Sequence, residues 1–144
     1  FSRQNLPFQV RDAERLKQVA RGGYVLSDAA SPQAIIIAAG SEVSLAMAAQ
    51  KLLAEAGVAV RVVSMPSTSV FDRQQPDYRE AVLPKGMKRV AVEAGVTDYW
   101  RKYVGLEGAV VGLDRFGESA PAGELFKFFG ITADAVADAV KRVI

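Results

Sequence analysis

Apolar positions fall in short blocks along this chain, and the densest is Ala34-Ile35-Ile36-Ile37-Ala38-Ala39. Its unbroken apolar character and three β-branched isoleucines mark a strand buried on both faces. Gly40 ends the run, Ser41 stands where a helix N-cap belongs, and Glu42 puts a carboxylate in the first turn. Leu45, Ala49, Leu52, Leu53 and Ala56 then recur on one stripe of an amphipathic helix, which Gly57 closes at its C′ position. Val60-Arg61-Val62-Val63-Ser64 reads as the next strand. Strand, helix and strand joined this tightly predict a right-handed βαβ unit with parallel strands.

The flanks extend this unit into a domain. Phe1 to Pro7 reads as an irregular lead-in, Asp12 to Ala20 as a short helix, and Gly22-Gly23 as the break before a strand at Tyr24-Val25-Leu26. Beyond Pro66 the pattern is irregular until a short helix at 77–83, stopped by Pro84. Strands follow at Arg89–Val92 and Ala109–Val111, separated by a helical turn at Asp98–Tyr103 that buries Trp100. Pro121 to Phe129 predicts a helix with proline in its first turn and Gly130 past its end. Thr132 caps a last helix whose stripe is Val136, Ala139, Val140 and Val143, with Lys141 and Arg142 in its final turn. The expected fold class is α/β: three layers, with a mostly parallel sheet of about five strands and helices on both faces.

Composition narrows the chemistry. The chain has 144 residues, half of them hydrophobic and 24% charged, which suits one globular domain with its own core. There is no cysteine, so disulfides, thiolate metal sites and a cysteine nucleophile are excluded. There is also no histidine, which removes the commonest general base and metal ligand. The net charge is only +2, and the densest basic stretch (Arg3, Arg11, Arg15, Lys17, Arg21) is interrupted by Asp12 and Glu14. That pattern reads as a solvated helix face, so no nucleic-acid partner is expected. No apolar run reaches the roughly 18 residues of a membrane span and no signal-peptide pattern opens the chain, so no membrane association is expected. A first residue of phenylalanine, in mid-pattern, leads us to expect a piece of a longer polypeptide.

Four places could carry chemistry. The joint Ala39-Gly40-Ser41-Glu42 offers free amides at a helix start, a natural anion site, although Glu42 would compete with the anion and a simple capped turn explains it as well. Glu93, in Val92-Glu93-Ala94-Gly95, is a carboxylate at the end of a buried strand; it could act as an acid or base, cap a helix or pair with an arginine. Phe116-Gly117-Glu118-Ser119-Ala120-Pro121 encodes a loop feeding a helix start, and Tyr99, Trp100 and Tyr103 read as core or interface rather than a stacking platform. Asp98 and Lys102 are spaced for a surface pair. Arg3 has the planar fork that matches phosphate, but position alone gives it no role.

As strings, these residues resemble the transketolase family. Ser2-Arg3-Gln4-Asn5-Leu6-Pro7 is similar to the segment closing that family's pyrimidine-binding domain, and Gly22-Gly23-Tyr24-Val25-Leu26 to the start of its C-terminal domain. Gly40-Ser41-Glu42-Val43, 61–67, Tyr78-Arg79-Glu80 with Val82-Leu83-Pro84, 92–95 and 116–121 match in order and spacing, so the likeness spans the chain. The resemblance implies residues 1–21 as the end of the pyrimidine-binding domain with its linker, and 22–144 as the C-terminal domain. It implies a homodimeric cytoplasmic enzyme using thiamine diphosphate and a divalent metal (magnesium or calcium). Such an enzyme moves a two-carbon ketol unit between sugar phosphates in the pentose phosphate pathway.

In that family the cofactor, the metal, the activating glutamate and the substrate-facing histidines belong to the other domains of the chain. No catalytic, cofactor-binding or metal residue is therefore expected here, and the domain's role is structural and dimer-forming. The exception is Arg3, which matches the family arginine contacting the substrate phosphate. The competing expectation is an autonomous module binding a small anion or regulatory ligand at Gly40-Ser41.

Overall fold

The computed structural model describes residues 5–10 and 12–144. Among these, the strands are β1 (Tyr24–Ser27), β2 (Ala34–Ala38), β3 (Val60–Ser64), β4 (Lys88–Val92) and β5 (Ala109–Val111). The helices are α1 (Ala13–Val19), α2 (Val43–Glu55), α3 (Thr68–Asp72), α4 (Pro76–Val82), α5 (Arg101–Val104), α6 (Ala122–Phe128) and α7 (Ala133–Val143). The strands form one sheet in the order β1-β3-β2-β4-β5, parallel except for β1, which runs antiparallel to β3. The expected α/β class with a mostly parallel five-stranded sheet is what the chain adopts.

β2 sits at the centre. Ile36 pairs with Val62 on one side and Val90 on the other, and all of β2 is buried. Alternation along the strand splits its side chains between two cores. Ala34, Ile36 and Ala38 face α2 and α7, while Ile35 and Ile37 face Phe71 of α3, Val82 of α4 and Tyr103 of α5. This two-sided burial is why the sequence shows a continuous apolar run there instead of an alternating one.

Three expectations fail locally. The stripe predicted for α2 is rotated: Val43, Ala46, Ala49 and Leu53 are the buried residues, and Leu52 is 38% exposed. Small alanines at the contact let α2 lie close to α7, so packing distance overrides the larger leucine. Ser41 caps nothing, because a 3-10 turn over Gly40–Glu42 precedes α2 and carries no side-chain cap. Lys102 pairs with Asp72 of α3 rather than with Asp98. Thr132 does cap α7, accepting from the Ala135 amide at 3.2 Å.

Two arginines satisfy carbonyls that helix ends leave over. Arg61 donates to the Ala81 carbonyl at the end of α4 while its fork holds both Asp28 oxygens, at 2.8 and 3.0 Å. That pairing holds the Asp28 carboxyl below its ordinary value. Arg89 donates to the carbonyls of Leu83, Pro84 and Tyr103, joining the exits of α4 and α5 to β4.

At Gly22 a positive φ coincides with close backbone approach. Gly22 has φ +83°, and a Cβ there would lie 2.3 Å from the Ser67 carbonyl oxygen and 2.5 Å from the Phe71 amide nitrogen. Gly57 has a similar φ of +77° but open space around it. Gly57→Ala should therefore cost only the left-handed backbone penalty, about 1–2 kcal/mol. Gly22→Ala adds a clash with backbone and should cost more, about 3–4 kcal/mol. Urea melts of the two variants check this, and equal losses would show that the approach at Gly22 relaxes freely.

Candidate functional site

The chain leaves β2 through α2 to reach β3 on one side, then lays β4 down on the other side of β2. Connections that diverge from a central strand open a crevice beyond the carboxyl ends of the strands, where open α/β sheets hold ligands. Here the two diverging segments carry Glu42, after β2, and Glu93, after β4.

Glu42 turns inward and is 4% exposed, with its Oε1 accepting from the Ser41 hydroxyl at 2.9 Å. The Ser41 carbonyl accepts from Ser44 Oγ. Gly40 makes the turn possible by adopting φ +51°. Glu93 is held by its backbone, which donates to the Val111 carbonyl and accepts from the Gly95 amide at 2.8 Å. Its carboxyl receives no hydrogen bond from the described residues, and Oε2 is sealed from solvent. Burial first, and then the nearby Glu42 charge, push Glu93 up to about 7. It is a carboxyl that can hold or release a proton near neutrality.

Glu93 borders an open cavity of about 330 Å³ at the ends of β2, β3 and β4, lined also by Met65, Ser67, Thr68, Val96, Tyr99 and Trp100. Thr68 Oγ1 and the Tyr99 hydroxyl hydrogen-bond across it. Trp100 and Tyr103 are buried in the core and Tyr99 is 58% exposed, so the aromatic cluster serves both as core and as cavity wall. The Asp72 carboxylate accepts from the Tyr103 hydroxyl behind this wall.

Of the residues singled out in the sequence, Glu93, Tyr99 and Trp100 line this cavity, and the Gly40-Ser41 joint reaches it through the preceding Ala39. The 116–121 loop does not line the cavity, and Phe116 is 96% exposed. Arg3 and Arg11 lie outside the described residues. Sequence reasoning missed α3, which brings Ser67 and Thr68 to the cavity; its five residues are too short for a helical stripe. It also missed the inward turn of Glu42, for which no sequence signal exists. Among the described residues no three acidic groups converge as a metal set. The chain contains neither histidine nor cysteine, so any nucleophile or base here would be drawn from hydroxyls, lysines, tyrosines and carboxylates.

A family model described as the transketolase-like TK C-terminal domain matches residues 22–132. The chain belongs to the transketolase family. Transketolase 1 of Escherichia coli strain K12 is 59% identical over 146 aligned residues, covering all of this chain and 22% of that protein. This transketolase C-terminal domain thus spans about a fifth of the length of the curated relatives it matches. A transketolase variant from Pichia stipitis superposes with a TM-score of 0.88 at 41% identity, over 98% of this chain and 20% of that one. A second Pichia stipitis transketolase, in complex with sedoheptulose-7-phosphate, gives 0.82 at 41% identity over 89% of this chain and 19% of that one. No helix among the described residues is long and apolar enough to cross a membrane.

The raised Glu93 value has a sign. The folded chain holds this proton more tightly than the unfolded chain, whose value is the ordinary 4.5. Its stabilising contribution is therefore full below about pH 4.5 and is lost as pH rises to about 7. Glu93→Gln removes that titration at nearly constant size. Relative to the parent, its Tm should change little at about pH 4 and rise by roughly 3 °C by about pH 8, partial exposure limiting the gain. Calorimetry across that range checks it; a difference independent of pH would contradict the assignment.

Proposed function

We propose that the full-length polypeptide is a thiamine-diphosphate- and divalent-metal-dependent transketolase, active as a homodimer in the cytoplasm. It moves a two-carbon ketol unit between sugar phosphates of the pentose phosphate pathway. In this reading residues 22–144 are its C-terminal domain, a structural and dimer-forming part, and residues 1–21 close the preceding pyrimidine-binding domain. The observation that carries the reading is identity above one half along the whole chain to bacterial transketolases. The likeness to a transketolase complexed with sedoheptulose-7-phosphate supports the substrate class. The cofactor and metal sit on the other domains of the polypeptide. The chain accordingly supplies none of the groups that would activate them.

Arg3 is the one residue of this chain placed at the substrate, as a ligand of the sugar phosphate. The rival reading, an anion-binding module at Gly40-Ser41, gains no support from the site. Glu42 is buried at that joint, the Ser41 hydroxyl is spent on it, and among the described residues no lysine or arginine borders the crevice.

Two experiments follow. Hydrogen bonds to charged groups are worth roughly 1.5–3 kcal/mol. In the full-length enzyme Arg3→Ala should therefore lower kcat/KM for phosphorylated acceptors about 10- to 100-fold and leave unphosphorylated acceptors nearly unchanged. Equal loss for both classes would remove Arg3 from the phosphate site. The isolated chain, supplied with thiamine diphosphate and magnesium, should show no ketol transfer; turnover by it would overturn the assignment of the catalytic groups to other domains.

A further inference from the structure

The crevice beyond β2, β3 and β4 contains groups that the fold leaves unmatched. Glu93 has no hydrogen-bond donor among the described residues. Trp100 lines the same cavity and is 4% exposed, yet its indole N–H has no acceptor among the described residues and is not sealed from solvent. Polar groups this enclosed are ordinarily paired, and a cavity lined by two residues whose polar groups lack partners among the described residues is a candidate site for something that enters it.

Charge decides what enters. Glu93 borders the cavity, Glu42 adds its field from the neighbouring turn, and among the described residues no lysine or arginine lines the wall. A phosphate or carboxylate would meet the Glu93 carboxyl and no counter-charge from the described residues. A cation would meet a carboxylate together with the rings of Tyr99 and Trp100, whose faces attract positive charge. The hydroxyls of Ser67, Thr68 and Tyr99 add acceptors for its N–H groups.

We propose that this cavity binds an organic cation, an ammonium or guanidinium group, with Glu93 as its counter-charge and Tyr99 and Trp100 as its walls. The volume of about 330 Å³ suits a group the size of a single side chain. The same chemistry is available from a free small amine or from a lysine or arginine elsewhere in the full-length polypeptide. The cation site itself does not depend on the transketolase reaction.

Trp100 is the only tryptophan, so its fluorescence reports on the cavity. The chain is titrated with methylguanidinium and with ethanolamine at constant ionic strength, with sodium phosphate as the anionic comparison. Both cations should give a saturable change in the millimolar range, and phosphate none. Glu93→Gln should weaken the cations at least about tenfold. Glu55→Gln, the same loss of charge at an exposed position of α2, should leave them unchanged. Should Glu93→Gln fail to fold by circular dichroism, Tyr99→Ala at an exposed ring takes its place and should weaken binding severalfold.

A non-saturating response, saturation by phosphate, or equal binding by Glu93→Gln and parent would overturn the proposal. Equilibrium dialysis of isotope-labelled methylguanidinium against the full-length polypeptide separates the two sources. One Glu93-dependent equivalent means that the cavity takes free amines. Loss of that equivalent there, with binding kept by the isolated chain, means that the polypeptide's own cationic side chain fills it.

Discussion

The burial of β2 on both faces and along both edges is the constraint from which the rest of the domain follows. Its backbone is committed to β3 and β4, and its side chains, alternating in direction, must find partners in two separate layers. That requirement places α2 and α7 on one face and α3, α4 and α5 on the other. It also fixes where the chain reverses. A central strand entered first, with its successors laid on opposite sides, leaves a gap between the segments that exit β2 and β4. The crevice is a consequence of sheet order rather than of any loop's own preference.

The same burial explains the charge state of the crevice. A carboxylate placed one residue beyond the buried end of β4 (Val90–Val92) loses much of its water, and Glu93 finds no donor among the described residues in exchange. Glu42 is buried deeper but keeps the Ser41 hydroxyl as a partner. The two groups thus differ in hydrogen bonding while sharing one low-dielectric neighbourhood. Burial without a donor, and then the Glu42 charge, raise the Glu93 carboxyl. At the opposite polarity, Arg61 and Arg89 are drawn inward by carbonyls that α4 and α5 leave unpaired. These arginines are matched to backbone and Glu42 to a hydroxyl, whereas the Glu93 carboxyl has no donor among the described residues.

How much of this could be read from sequence depended on the length scale of the signal. β2, β3, β4 and the cap of α7 were legible because an apolar run or a threonine before a periodic stripe reflects local physics. Gly57 and Gly130 ended helices as expected, with φ of +77° and +69°. The face of α2 was misjudged because periodicity locates apolar residues but not the neighbouring helix, and α7 lies ninety residues further along the chain, by the spacing of Val43 and Ala133. Ser41 satisfied a composition rule for capping, yet the tight turn at Gly40 directed its hydroxyl to Glu42 instead. For Glu93 the sequence left a cap, an arginine partner or a perturbed carboxyl all open. Only three-dimensional proximity decided among them, because the absence of an arginine in the crevice is not written locally.

Electrostatics also separates what this domain can do from what its family does. A transketolase acting on sugar phosphates, as in the reading proposed above, needs positive charge where the phosphate lies, and Arg3 lies ninety residues before Glu93. Among the described residues the crevice at the sheet ends carries the Glu93 carboxyl and no lysine or arginine, with Glu42 close by. That arrangement disfavours an anionic substrate there. On the reading proposed above, a ligand of the crevice then belongs to a different chemical class from the sugar phosphates, and it would act alongside the proposed ketol transfer rather than through its substrates.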